Sequence, residues 1–202
     1  MIVVLGAMRT GASLVARMLH NLGVVMGSSQ PMPWPGFWQD DYEDMGLAVR
    51  IAPAFESGKR PAVIDLQSYI DDRRSKYQRM RKLYGTQIQS YGVRSIFLPF
   101  YWEEWLEACS SMHERLRLVI CRRDPEAMTE SLRRCAEAVV PHYRESWLSS
   151  VLAKNEELVK RVEQIATSAP VTCSVEFGSA IPEHLCKELN LAMTAHARDG
   201  VR

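Results

Sequence analysis

The stretch that most limits what this chain can become is residues 3–23, VVLGAMRTGASLVARMLHNLG. The apolar run from Ile2 to Leu5 reads as a buried strand that ends at Gly6. From about Ala12, apolar residues return at Leu14, Val15, Met18, Leu19 and Leu22 with helical spacing, and Arg17, His20 and Asn21 face away from them. Gly23 is placed to stop that helix. Between strand and helix, Gly6-Ala7-Met8-Arg9-Thr10-Gly11-Ala12-Ser13 keeps the G-x4-G rhythm of a phosphate-binding loop, but Ala12 stands where a nucleoside-triphosphate loop carries its lysine. The main-chain part of such a device survives: a glycine turn feeding a helix whose first N–H groups point at an anion. Ser13 adds a hydroxyl. The cation has moved into the loop as Arg9, whose guanidinium fork suits a phosphate or a sulfate.

The rest of the chain repeats the strand-then-helix alternation. RLRLVIC (115–121) is a second clear strand, and Asp124 followed by Pro125 marks the cap and first turn of a helix. After Pro141 a long helix carries Trp147, Val151, Leu158, Val162 and Ile165 on one face. APVTCSVEF (169–177) is a third strand and 181–191 a last helix; residues 64–84 and LPFYWEEWLEAC also read as helical. Residues 27–38, with three prolines and two glycines, form a long loop of the kind that carries function. The pattern predicts an α/β protein of one domain spanning residues 1–202, with a central parallel sheet flanked by helices in three layers and ligands at the carboxyl ends of its strands.

Charge and composition narrow the partners. The formal net charge is +1, so no global field draws the chain to nucleic acid or a membrane. No apolar run approaches the ~20 residues of a membrane helix, and because an apolar strand already starts at Ile2, no secretory leader is expected. The five cysteines form no CxxC and read as reduced and structural, which makes the cytoplasm the expected compartment. The five histidines are dispersed and show no metal-ligand spacing, so no metal is expected. Arg73, Arg74, Lys76, Arg79, Arg81 and Lys82 crowd into ten residues; as a class such runs are solvated helix faces.

The second anion site comes about a hundred residues after the first, in RLRLVICRRDPEAMTESLRRC. An ATPase or kinase of this layout ends its second strand in an aspartate that holds magnesium. Here the strand runs into Arg122 and Arg123, and Asp124 is committed to a cap. Arg123 lies at the strand's carboxyl end and Ser131 eight positions on, about two turns into the helix, so both can reach one phosphate.

These two motifs resemble those of the sulfotransferases. Arg9-Thr10-Gly11-Ala12-Ser13 is similar to that family's Pro-Arg/Lys-Ser-Gly-Thr-Ser/Thr loop, and Arg123 with Ser131 to its strand-end arginine and helix serine. WPGFWQDDYEDMGL, YGVRSIFLPFYWEEWL and PVTCSVEF are similar to further segments of bacterial sulfotransferase-like proteins. The resemblance implies a P-loop-type fold and 3′-phosphoadenylyl sulfate (PAPS) as donor. Arg9, Thr10, Gly11, Ala12 and Ser13 would cradle its 5′-phosphosulfate, Arg123 and Ser131 would hold its 3′-phosphate, and a small molecule or glycan would be the acceptor. The histidine that serves cytosolic members as base has no counterpart in Arg94-Ser95-Ile96-Phe97. Asp40, which matches the aspartate of a family Trp-Glu-Asp trio, is the candidate proton acceptor, beside Gln39 in place of the glutamate. Trp34, Phe37 and Trp38 line either an acceptor pocket or a lid. A fold relative that binds nucleotide without turnover is the second expectation, and a nucleotide kinase or hydrolase the third.

Overall fold

The computed structural model describes residues 1–27, 44–137, 141–178 and 182–194. Five parallel strands form one sheet: β1 (Ile2–Leu5), β2 (Val24–Val25), β3 (Ser90–Arg94), β4 (Arg117–Arg122) and β5 (Val171–Glu176), in the order β2-β3-β1-β4-β5. β1 sits at the centre, with Val3 opposite Val93 of β3 and Leu118 of β4. All four β1 residues are fully buried, because a central strand of a parallel sheet is covered on both faces.

The pleat sends alternate β1 residues to two separate cores. Val3 and Leu5 pack with α2 (Met45–Ser57), α3 (Val63–Tyr84), α4 (Trp102–Ser111) and α6 (Pro141–Ser168). Ile2 and Val4 pack with α1 (Ala12–Asn21) and α7 (Pro182–Leu189). α5 (Pro125–Ala136) leans on α6. This division follows from strand order and right-handed crossovers. α1 carries the chain two places to one side of β1, whereas the later connections carry it back across the sheet. Opposite directions of travel put their helices on opposite faces. At the carboxyl end of β1 the chain therefore leaves toward one face, while both neighbouring strands feed the other. A crevice opens there, the usual ligand position in an open α/β sheet.

Local signals explain most boundaries. Gly23 ends α1 at φ 82, with its N–H on the His20 carbonyl, and Asp124 caps α5 by accepting from the Ala127 N–H at 2.8 Å. The second strand runs over Arg117–Arg122 and the last helix over Pro182–Leu189, each a little shorter than the sequence pattern. β2, β3 and α2 have no counterpart among the strands and helices read from periodicity.

One reading is corrected. Arg73 belongs to the cation run, yet it is 7% exposed. Its guanidinium donates to the Val25 and Gly92 carbonyls at 2.6 and 3.0 Å and faces Asp44 at 3.7 Å. Asp44 in turn caps α2 through the Leu47 N–H and accepts from the Tyr69 hydroxyl at 2.6 Å. The run contains a buried clamp between α3, α2 and the sheet, not only a wet face. Burial, with Asp44 beside it, holds the Tyr69 hydroxyl well above its ordinary pKa, so it stays a donor.

Candidate functional site

The loop after β1 closes on itself. The Thr10 hydroxyl donates to the Ala7 carbonyl at 2.8 Å and is buried, so its side chain braces the turn. Gly6 has no room for a side chain, since a Cβ there would lie 2.4 Å from the Thr10 oxygen. Arg9 adopts φ 66, a left-handed conformation uncommon for an arginine. Such strain persists only where the surroundings hold it, and three contacts do so. The Met8 N–H donates to Asn155 Oδ1 on α6 at 2.7 Å, Arg9 Nε donates to Ser131 Oγ on α5 at 2.8 Å, and Arg123 donates to the Arg9 carbonyl at 3.0 Å.

Gly11 then opens α1 at φ 87, with no side-chain cap. Helix geometry turns the first N–H groups of α1 outward from its end. Their positive end faces the crevice.

Arg123 is fixed from a second side. Phe177, immediately after β5, donates its N–H to the Arg122 carbonyl at 2.8 Å, and its ring lies 4.0 Å from the Arg123 guanidinium carbon. The same ring lies where a Gly11 Cβ would be, 2.6 Å away. Arg122 turns elsewhere, paired with Glu163 at 2.7 Å. That hydrogen bond lowers the Glu163 pKa and raises that of Arg122.

Arg9, Gly11, Ala12, Ser13 and Arg123 thus line one cavity of about 420 Å³. Ser131 reaches it through Arg9, and Thr10 supports it from below. Arg94, at the end of β3 and only 6% exposed, and Lys154 of α6 add two more cations to the lining. Burial pushes the nearby Cys121 thiol up to about 12, with the Arg94 guanidinium pulling the other way, so Cys121 is no nucleophile at neutral pH. Asp124 spends its carboxylate on the α5 cap, and among the described residues no cluster of His, Cys, Asp or Glu is arranged for a metal ion. No helix of the described residues is long and apolar enough to cross a membrane. Asp40, Trp34, Phe37, Trp38 and Gln39 lie outside the described residues.

Sequence reasoning passed over Asn155 and Phe177. For Asn155 a signal existed: the α6 face 147, 151, 158, 162 carries a polar residue at 155, where the stripe calls for an apolar one. Phe177 had none, because its role depends on β5 lying beside β4.

No family model matches this chain, and neither a curated protein nor a solved structure matches it.

Proposed function

We propose that this chain is a sulfotransferase-like protein of P-loop type. It binds 3′-phosphoadenylyl sulfate in the crevice at the carboxyl end of β1 and transfers the sulfuryl group to a hydroxyl or amine acceptor. The observation that carries the reading is the convergence of Arg9 and Arg123 on one cavity, each locked by a neutral partner: Ser131 for Arg9, Phe177 for Arg123. Neutral partners leave the charge of both guanidinium groups for a ligand. The group fits the residues present. The α1 N-terminus and the side-chain-free Gly11 allow close approach of an anionic oxygen, and the cations suit a ligand with separate 5′ and 3′ charges. The five cysteines, all free thiols, suit a reducing compartment such as the cytoplasm.

Sulfuryl transfer asks of the protein chiefly positioning and charge stabilisation, as phosphoryl transfer does. Arg9, aimed by Ser131, and the α1 amides hold the 5′ end, and Arg123 holds the 3′-phosphate. A kinase or hydrolase reading is weaker, because Ala12 replaces the loop lysine and Asp124 is spent on a cap. A second reading, binding without turnover, is favoured by one observation: the cavity's described lining contains no carboxylate and no imidazole.

Thermal shift in EDTA tests the nucleotide. Adenosine 3′,5′-bisphosphate should stabilise the protein more than ATP with magnesium does, and Arg123→Ala should weaken the bisphosphate far more than adenosine 5′-phosphate. A preference for ATP with magnesium sinks the proposal. Labelled-sulfate transfer to an acceptor panel then separates turnover from binding alone.

A further inference from the structure

The formal charge of +1 hides an uneven distribution. No aspartate or glutamate stands between Asp72 and Glu103, while the cations of residues 73–82 fall in that interval. The acids beside the run are already matched. Arg50 pairs with Asp72 at 2.8 Å, and Arg74 pairs with Glu114 at 2.6 Å and lies 4.0 Å from Asp71. Lys76, Arg79 and Lys82 have no ion-pair partner among the described residues. Arg81 turns to a neutral group, donating to the Tyr77 hydroxyl at 2.8 Å. Four cations of α3 therefore face water without counter-charge.

α3 also outruns the body on which it packs. Tyr77 packs on Tyr91 with ring centroids 5.4 Å apart, and Met80 still touches the core. Beyond them, residues 81–87 are all exposed, and a Cβ at Gly85 would meet nothing within 4 Å. This free end carries Leu83, 75% exposed, and Tyr84, 53% exposed. Leu83 stands one turn beyond Arg79 and two turns beyond Lys76, so the apolar side chain and the cations share one surface.

We propose that the free end of α3 docks on a bilayer surface rich in anionic phospholipid. Leu83 and Tyr84 enter the boundary between headgroups and acyl chains, and the cations stay at the level of the phosphates on their flexible stems. A nucleic acid would use the cations and the Tyr84 ring but leave Leu83 in water. A single helix end buries little apolar area, so attachment is reversible and sensitive to salt. α3 leads into the amino end of β3, whereas the cavity lies at the carboxyl ends of the same parallel strands. Docking there leaves the crevice open, and it does not depend on what the crevice binds.

Cosedimentation of the whole protein with vesicles tests the docking. One vesicle is phosphatidylcholine alone, the other equal parts phosphatidylcholine and phosphatidylserine. The mixed vesicles should bind the protein on the order of a hundredfold more tightly, and added salt should erase most of that difference. Arg79→Glu combined with Lys82→Glu should lower binding to the mixed vesicles by about twentyfold or more. Leu83→Ser, which leaves every charge in place, should lower it several-fold, and both variants should keep the wild-type melting temperature. Equal binding to the two vesicles, or binding to neither, overturns the inference. So does a Leu83→Ser variant that binds mixed vesicles as the wild type does, because charge alone would then account for the contact. Tighter binding to single-stranded RNA than to mixed vesicles at the same salt also overturns it and assigns the cations to a nucleic acid.

Discussion

Arg9 Nε and Ser131 Oγ meet at 2.8 Å across 122 residues of chain. That contact ties the strained loop after β1 to the second turn of α5. The side chain of Arg9 is therefore aimed by a residue that the sequence pairs with Arg123. The serine is buried, so its hydroxyl has no water to fall back on.

Removing that hydroxyl should be felt at the ligand. Ser131→Ala is expected to weaken adenosine 3′,5′-bisphosphate about tenfold, the size of one hydrogen bond to a charged group, roughly 1.5 kcal/mol. In an Arg9→Ala background the same change should do almost nothing, because the two act as one unit. Isothermal titration of the four proteins checks this. Additive losses would mean that Ser131 acts on the ligand independently of Arg9.

Gly11 is held by two separate restraints, its φ of 87 and the Phe177 ring where a Cβ would project. Gly11→Ala should cost about 1–2 kcal/mol for the backbone alone, and more because the ring must leave Arg123 to make room. In a Phe177→Ala background only the backbone cost should remain. Urea unfolding of both pairs measures the difference; an equal cost in the two backgrounds would show that the ring does not constrain Gly11.

The parts of this molecule legible in the sequence are those set by neighbours in the chain. The loop, Gly23, the Asp124 cap and the long apolar face of α6 all follow from local spacing. The α6 face is a single stripe in sequence, yet Val162 and Ile165 go to the core while Trp147 and Val151 face the cavity. Nothing local divides them, because the division is made by where the α2 and β3 connections end. Leu14 likewise reads as a core residue of α1 but is 43% exposed at the cavity rim. β2 is only two residues long, and SYGVR of β3 mixes polar with apolar, so neither carries a strand period. The burial of Arg73 depends on Val25, Asp44 and Gly92, three positions spread over the first half of the chain.

Arg73 yields the largest predicted loss of stability. Arg73→Met leaves the Asp44 carboxylate, itself 3% exposed, without its counter-ion, and removes the donor to the Val25 and Gly92 carbonyls. Breaking a buried pair from one side costs about 3–5 kcal/mol. Adding Asp44→Asn should recover part of that, since the uncompensated charge is gone. Arg79→Ala, on the exposed side of the same run, should stay within about 0.5 kcal/mol. Chemical denaturation compares the four proteins, and equal effects at Arg73 and Arg79 would deny the clamp.

Glu114 predicts how stability responds to acid. Burial alone would raise its pKa, but hydrogen bonds from the Tyr91 hydroxyl and Arg74, with the Met1 ammonium 3.8 Å away, outweigh burial and hold it below the ordinary glutamate value. The unfolded chain therefore takes up this proton more readily than the folded one. The stabilisation is complete at pH values above the ordinary glutamate pKa and disappears as pH falls through the lower, folded value. Glu114→Gln should accordingly melt well below the wild type at pH ~7, and the gap should close below pH ~4. Melting curves of both proteins across that range decide it. A gap that stays constant down to acid pH would mean that the carboxylate's charge contributes nothing, leaving only the shape of the side chain to explain the loss.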